Sequence, residues 1–195
     1  MGLKILVSFI LEILIAIPLG ITAARKQYSF TDYFTTVVAM VCISMPTFFV
    51  ATVLKYIFSV KLGWFDLSGM QGRNYMALSD FGKFLDVAKH FVLPLITLVI
   101  ISIGGLMRYT RTNMLEVLNS DYIRTARAKG LKERVVINKH AFRNTLIPLV
   151  TSMAGLLPML FSGAIITEQV FDLPGIGNVL AASYDDMYGE FMMDD

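Results

Sequence analysis

Apolar residues in this chain gather in four long blocks, at about residues 3–24, 36–60, 87–107 and 146–167, separated by polar stretches that hold most of the charge. A hydrocarbon core about 30 Å thick takes roughly 20 apolar residues of helix to cross, and each block meets or nearly meets that length. The pattern predicts four membrane-spanning helices. The first block is too long, and its flank too poor in positive charge, for the core of a cleavable signal peptide, so it reads as a true span.

Composition agrees: 55% of the 195 residues are apolar and 16% charged, with a mean hydropathy of +0.63. This balance excludes an ordinary water-soluble globule. The single cysteine, Cys42, lies inside the second block. It can form neither an intrachain disulfide nor a multi-cysteine metal site, and is expected to pack as a small hydrophobe.

Charge sets the expected orientation, because lysine and arginine in short loops stay on the cytoplasmic side. Between the third and fourth blocks lie Arg108, Arg111, Arg124, Arg127, Lys129, Lys132, Arg134, Lys139 and Arg143, against Glu116, Asp121 and Glu133. After the fourth block come Asp172, Asp185, Asp186, Glu190, Asp194 and Asp195 with no basic residue. The segment between blocks three and four is thus expected in the cytoplasm, with Arg25 and Lys26. The loop after block two, with Trp64, Gly69, Gly72, Arg73, Asn74 and Tyr75, and the acidic C-terminal stretch are expected outside. Alternation puts Met1 outside too, which implies an earlier span.

Pro18, Pro46, Pro94, Pro148 and Pro158 sit within or beside the blocks. Each removes a helical hydrogen bond and favours a kink that neighbouring helices can accommodate. The cluster Ser44, Met45, Pro46, Thr47 and the pair Gly104, Gly105 suit close helix approach, and the hydroxyls suit a polar path. Glu12 stands near the middle of the first block, where an acid costs about 2.5–3.5 kcal/mol on insertion scales. With Ser44, Pro46 and Thr47 it is a candidate for lining a translocation path; its alternative is a group protonated or facing an aqueous cavity.

The basic segment, residues 108–145, carries the most information. Asn119 or Ser120 can cap a helix with Asp121 in its first turn, and Gly130 stands where a left-handed C-terminal cap belongs. Two short helices joined at Gly130 are expected, the second from about 132 to 143, with Val135, Val136, Ile137 and Phe142 offered for contact. Three readings compete: a topology determinant only, a helix-turn-helix reader of nucleic acid, and a docking site for a cytoplasmic motor. Tethering at both ends to membrane spans argues against entry into a nucleic-acid groove, so no nucleic acid is expected as a partner.

The runs 108–118, 121–131 and 140–144 closely resemble the coupling region of the dipeptide and oligopeptide permease family of ABC importers. Further matches follow in the family's order: Ile17 to Gly20, Ser44 to Phe48, Leu62 to Trp64 with Ser68 and Gly69, Leu93 with Pro94, and Glu168 to Gly177. The general importer signature has Glu-Ala-Ala, a glycine, then Ile-x-Leu-Pro. Aligned on Gly130, the chain has Arg124, Thr125 and Ala126, then His140, Phe142 and Arg143, so only Ala126 and Gly130 match and the peptide branch fits better.

The resemblance implies an all-α, polytopic bundle of the type I importer permease fold. One permease domain would fill residues 1–195, truncated at both ends and matching the second to fifth of six spans, with residues 108–145 as its coupling region. Tyr122, Arg124, Ala126, Gly130, His140 and Arg143 are the implied contacts to an ATPase. The implied partners are a second permease, two cytoplasmic ATP-binding subunits, an extracytoplasmic solute-binding protein and membrane lipid, in a bacterial plasma membrane. No phosphate-cradling glycine loop is visible, and His90 and His140 fall on opposite sides of the membrane with no evident cluster of acids or cysteines, so no catalytic site, metal or cofactor is expected. A membrane scaffold or sensor that docks a cytoplasmic protein without transport is the alternative.

Overall fold

The computed structural model describes residues 2–72 and 74–193; Met1, Arg73, Asp194 and Asp195 lie outside the described residues. The described residues are helical, with no strand. In order the helices are α1 (Gly2–Arg25), α2 (Phe30–Ser44), α3 (Thr47–Lys55), α4 (Asp80–Leu118), α5 (Asp121–Ala128), α6 (Glu133–Val135), α7 (Phe142–Phe171) and α8 (Ile176–Met193). Stretches of π-helix, Tyr56–Lys61 and Val136–Ala141, extend α3 and join α6 to α7.

The first and third apolar blocks lie in α1 and α4, each long and apolar enough to cross a membrane alone; the second and fourth pass that test only as bent pairs of helices. Proline accounts for the break in the second block. Pro46 has no N–H, and its ring disfavours helical backbone at Met45, so α2 stops at Ser44 and Pro46 stands as N-cap of α3 with φ −66° and ψ 145°. A kinked span was expected, and a helix break is found. The third block is exceeded in the other direction: α4 continues to Leu118, so residues 108–118 are helix rather than loop.

Two compact units divide the chain. The first comprises Met1–Phe9, Met45–Ile101 and Leu160–Asp195. Within it Ile5, Val50, Leu98, Ile101, Leu160 and Ala164 form one apolar cluster, and Ala51, Leu93, Phe171 and Leu173 a second, against which Phe58, Phe65 and Met70 pack. A buried ion pair ties the chain ends of this unit together. Lys4 Nζ lies 3.0 Å from Glu168 Oε1, and the other carboxylate oxygen accepts the Gly177 N–H at 3.1 Å. A Cβ at Gly175 would overlap that carboxylate, so the Pro-Gly-Ile-Gly turn after α7 requires glycine there.

The second unit comprises Ile10–Ser44 and Ser102–Met159. Ala16, Ala39, Leu106, Met107 and Leu149 form its membrane-level cluster. Close approach depends on two small residues: a Cβ at Gly20 would meet Thr110, and one at Gly104 would sit 2.6 Å from the Ala39 carbonyl oxygen. Gly104 therefore does what small residues do between membrane helices, whereas Gly105 faces open space. Leu14, Val37, Ile147 and Val150 point outward, as apolar side chains facing lipid would.

Candidate functional site

The basic segment of the second unit forms a small helical assembly built on the end of α4. In α5, Ile123 and Ala126 are buried while Asp121, Arg124 and Arg127 face out, the i, i+3 spacing of a one-sided helix. The buried pair packs with Ala24, Met114, Leu118, Val136, Ile137 and Ala141. Burying Ile123 alone contributes about 1.5–3 kcal/mol, which holds so short a helix in place.

Between α5 and α6 the chain turns at Gly130, whose φ is +74°, the left-handed position expected after the C-cap Lys129. A Cβ there would meet nothing within 4 Å. Glycine is thus required by backbone conformation and not by crowding. Across the turn Arg127 donates to both oxygens of Glu133, at 2.8 and 3.2 Å, and this guanidinium holds the Glu133 carboxyl below its usual range. The pair is solvent-exposed and worth at most about 1 kcal/mol.

Several expectations change here. Ser120 is the N-cap of α5, but its hydroxyl donates to the Val117 carbonyl at 2.6 Å and makes no cap bond to α5. The expected second short helix does not stand apart: α6 runs through the π-stretch into α7 without a break. Val136 and Ile137, expected to offer contact to a partner, are buried in the chain's own core.

Of the predicted coupling residues, Tyr122, Ala126 and His140 come together. They line one surface depression with Thr125, Lys129 and Leu131; Tyr122 and Leu131 are exposed, while Ala126 forms part of the floor. Arg143 lines a neighbouring depression with Asn138, Lys139, Phe142 and Leu146. Arg124 is not among the residues of either and projects into solvent beside Asp121, 3.7 Å away.

Arg111 was counted above only as positive charge, yet it is an internal ion-pair partner. Its guanidinium forks onto both carboxylate oxygens of Asp32, with Nη2 donating to Oδ2 at 2.8 Å. Asp32 Oδ2 also accepts the N–H of Tyr28, which holds a positive φ of 61° in the turn between α1 and α2. Arg111 keeps the Asp32 carboxyl below the usual carboxylate range. The spacing of 79 residues gave no sequence signal for this bond.

The path candidates separate. Glu12 is wholly buried in the second unit, with Ser102 beside its carboxyl. Ser44 closes α2, its hydroxyl turned back to the Met40 carbonyl at 2.8 Å. Pro46 is exposed and Thr47 half-buried at the start of α3.

Residues 16–187 match the family described as the inner membrane component of binding-protein-dependent transport systems. The chain belongs to that family. It is 41% identical over 181 residues to the oligopeptide transport system permease protein AppB of Bacillus subtilis, covering 93% of this chain and 56% of that protein. It is 39% identical to the dipeptide transport system permease protein DppB of Alkalihalophilus pseudofirmus, over 92% and 58%, and 41% identical to a putative peptide permease protein of Brucella ovis, over 87% and 52%. The chain spans about half the length of the curated relatives it matches. Family and apolar helices together make it a multi-pass membrane protein.

Proposed function

We propose that this chain is the membrane-embedded part of a permease subunit in an ATP-driven importer of peptides or similar solutes. The observation that carries the reading is that the similarity to oligopeptide and dipeptide permeases runs through the whole basic segment, where α5, the Gly130 turn and the π-stretch before α7 frame an exposed depression. Two cytoplasmic ATP-binding subunits supply the hydrolysis, and one of them seats on Tyr122, Lys129, Leu131 and His140. A second permease completes the path, and an extracytoplasmic solute-binding protein delivers the solute in a bacterial plasma membrane.

Reconstitution tests this. Proteoliposomes holding the permease pair and both ATPases should take up a radiolabelled oligopeptide only with internal ATP and external binding protein. Equal uptake from a complex without this subunit, or from one carrying hydrolysis-dead ATPases, would overturn the reading.

A further inference from the structure

The first unit holds a cluster of two acids and a histidine, Asp66, Asp86 and His90. Asp86 and His90 stand one turn apart on α4, which brings their side chains to one face. Asp66 joins them from the loop after α3, a loop fixed by Ser59 Oγ donating to the Asp66 carbonyl at 3.2 Å and by the Gly69 N–H donating to the Phe171 carbonyl at 3.0 Å. Asp86 is held in turn, its Oδ2 accepting the Gly72 N–H at 2.7 Å. One ligand atom from each of Asp66, Asp86 and His90 lies within 4.8 Å of the others.

The imidazole decides what the cluster suits. The His90 side chain is only 3% exposed, and its Nδ1 lies 2.7 Å from the Asp86 carbonyl oxygen. A carbonyl only accepts, so Nδ1 carries the proton and, in the neutral ring, Nε2 presents a lone pair. Among the described residues buried Nε2 has no hydrogen-bond partner, and it aims at Asp66 Oδ2, 3.2 Å away. Two electron-rich atoms so placed call for a positive charge between them. A histidine whose second nitrogen is fixed by a backbone carbonyl is the arrangement that orients metal-bound imidazoles. Two carboxylates balance a divalent charge, and with an imidazole they form a set suited to zinc or manganese. Exposed Lys89 borders the recess, and its single charge is outweighed by the two acids. Ligand atoms around one such ion lie roughly 3–3.5 Å apart, given bonds of about 2.1 Å. The Asp66–His90 pair already stands at that spacing, and no two of the three ligand atoms are more than 4.8 Å apart.

We propose that Asp66, Asp86 and His90 Nε2 bind one divalent transition-metal ion that clasps the loop after α3 to α4. The proposal does not depend on the transport reading. The untagged protein as encoded, with its partner subunits, is stripped with chelator in lipid nanodiscs. It is then titrated with zinc chloride, with bound metal counted after dialysis and the fluorescence of the chain's one tryptophan, Trp64, followed in parallel. One zinc per chain is expected, with a change at Trp64. Affinity should fall about tenfold or more in Asp66→Asn, be lost in His90→Gln, and weaken in acid as protons compete for the ligands. Because Asp66 is exposed, Asp66→Asn decides the matter even where His90→Gln fails to assemble. No stoichiometric zinc, or equal binding in wild type and Asp66→Asn, would overturn the site. So would a Trp64 response to acid alone with zinc inert, since a proton would then bridge His90 and Asp66.

Discussion

Gly130 and Asp32 show how single residues set the basic segment. At φ +74° with open space around it, Gly130 resists substitution through backbone strain alone, so Gly130→Val should cost roughly 1–2 kcal/mol, taken up locally in the turn. Membrane insertion should be normal, while solute-stimulated ATP hydrolysis falls; unchanged coupling in the reconstituted complex would count against a docking role for the turn. Asp32 gives a pH prediction whose sign follows from its depressed carboxyl. A carboxyl held low when folded contributes stability above the unfolded value of about 3.9 and loses that contribution as pH falls through its folded value. Protease resistance of the α1–α2 turn should therefore hold from pH 7 to 5 and decline only below about pH 4. Asp32→Asn should lose that resistance already at neutral pH, and a turn equally resistant in the variant would show that the Arg111 fork holds nothing.

At the scale of helices, the Lys4–Glu168 pair joins the start of α1 to the end of α7 inside one unit. Lys4→Met strands a buried carboxylate, and removal of one partner from such a pair typically costs about 3–5 kcal/mol. Thermal unfolding in nanodiscs should show that loss largely restored in Lys4→Met with Glu168→Gln; a double variant as unstable as the sum of the singles would show that the two charges are not coupled. This pair also marks what the sequence hides. Hydropathy located all four blocks and charge located the basic segment, because apolar runs and loop charges are local properties of the chain. Gly130 was legible for the same reason, since a C-cap is defined by its neighbours in sequence. Arg111 with Asp32, Lys4 with Glu168, and Asp66 with His90 are long-range partners whose meeting depends on packing. The inward turn of Val136 and Ile137 was hidden as well, because a π-stretch shifts the helical phase that the spacing assumes.

For the whole molecule, the charge asymmetry predicts a topology that labelling can read. Leu67, exposed in the loop after α3, and Asn138, exposed in the basic segment, serve as probes. In sealed cells an impermeant thiol reagent should modify Leu67→Cys in a Cys42→Ser background and leave Asn138→Cys untouched until the membrane is opened; modification of position 138 in sealed cells would reverse the orientation. The account rests most heavily on the depression lined by Tyr122, Thr125, Lys129, Leu131 and His140 as the seat of an ATPase. The most direct measurement is cross-linking from that surface, with a short bifunctional thiol reagent applied to the assembled complex carrying Tyr122→Cys or Leu131→Cys. The account predicts a covalent product between this chain and the ATP-binding subunit, its yield changing between ATP-bound and nucleotide-free complexes, and no such product from Leu67→Cys. A complex that hydrolyses ATP and imports peptide while neither basic-segment position cross-links to the ATPase would contradict it.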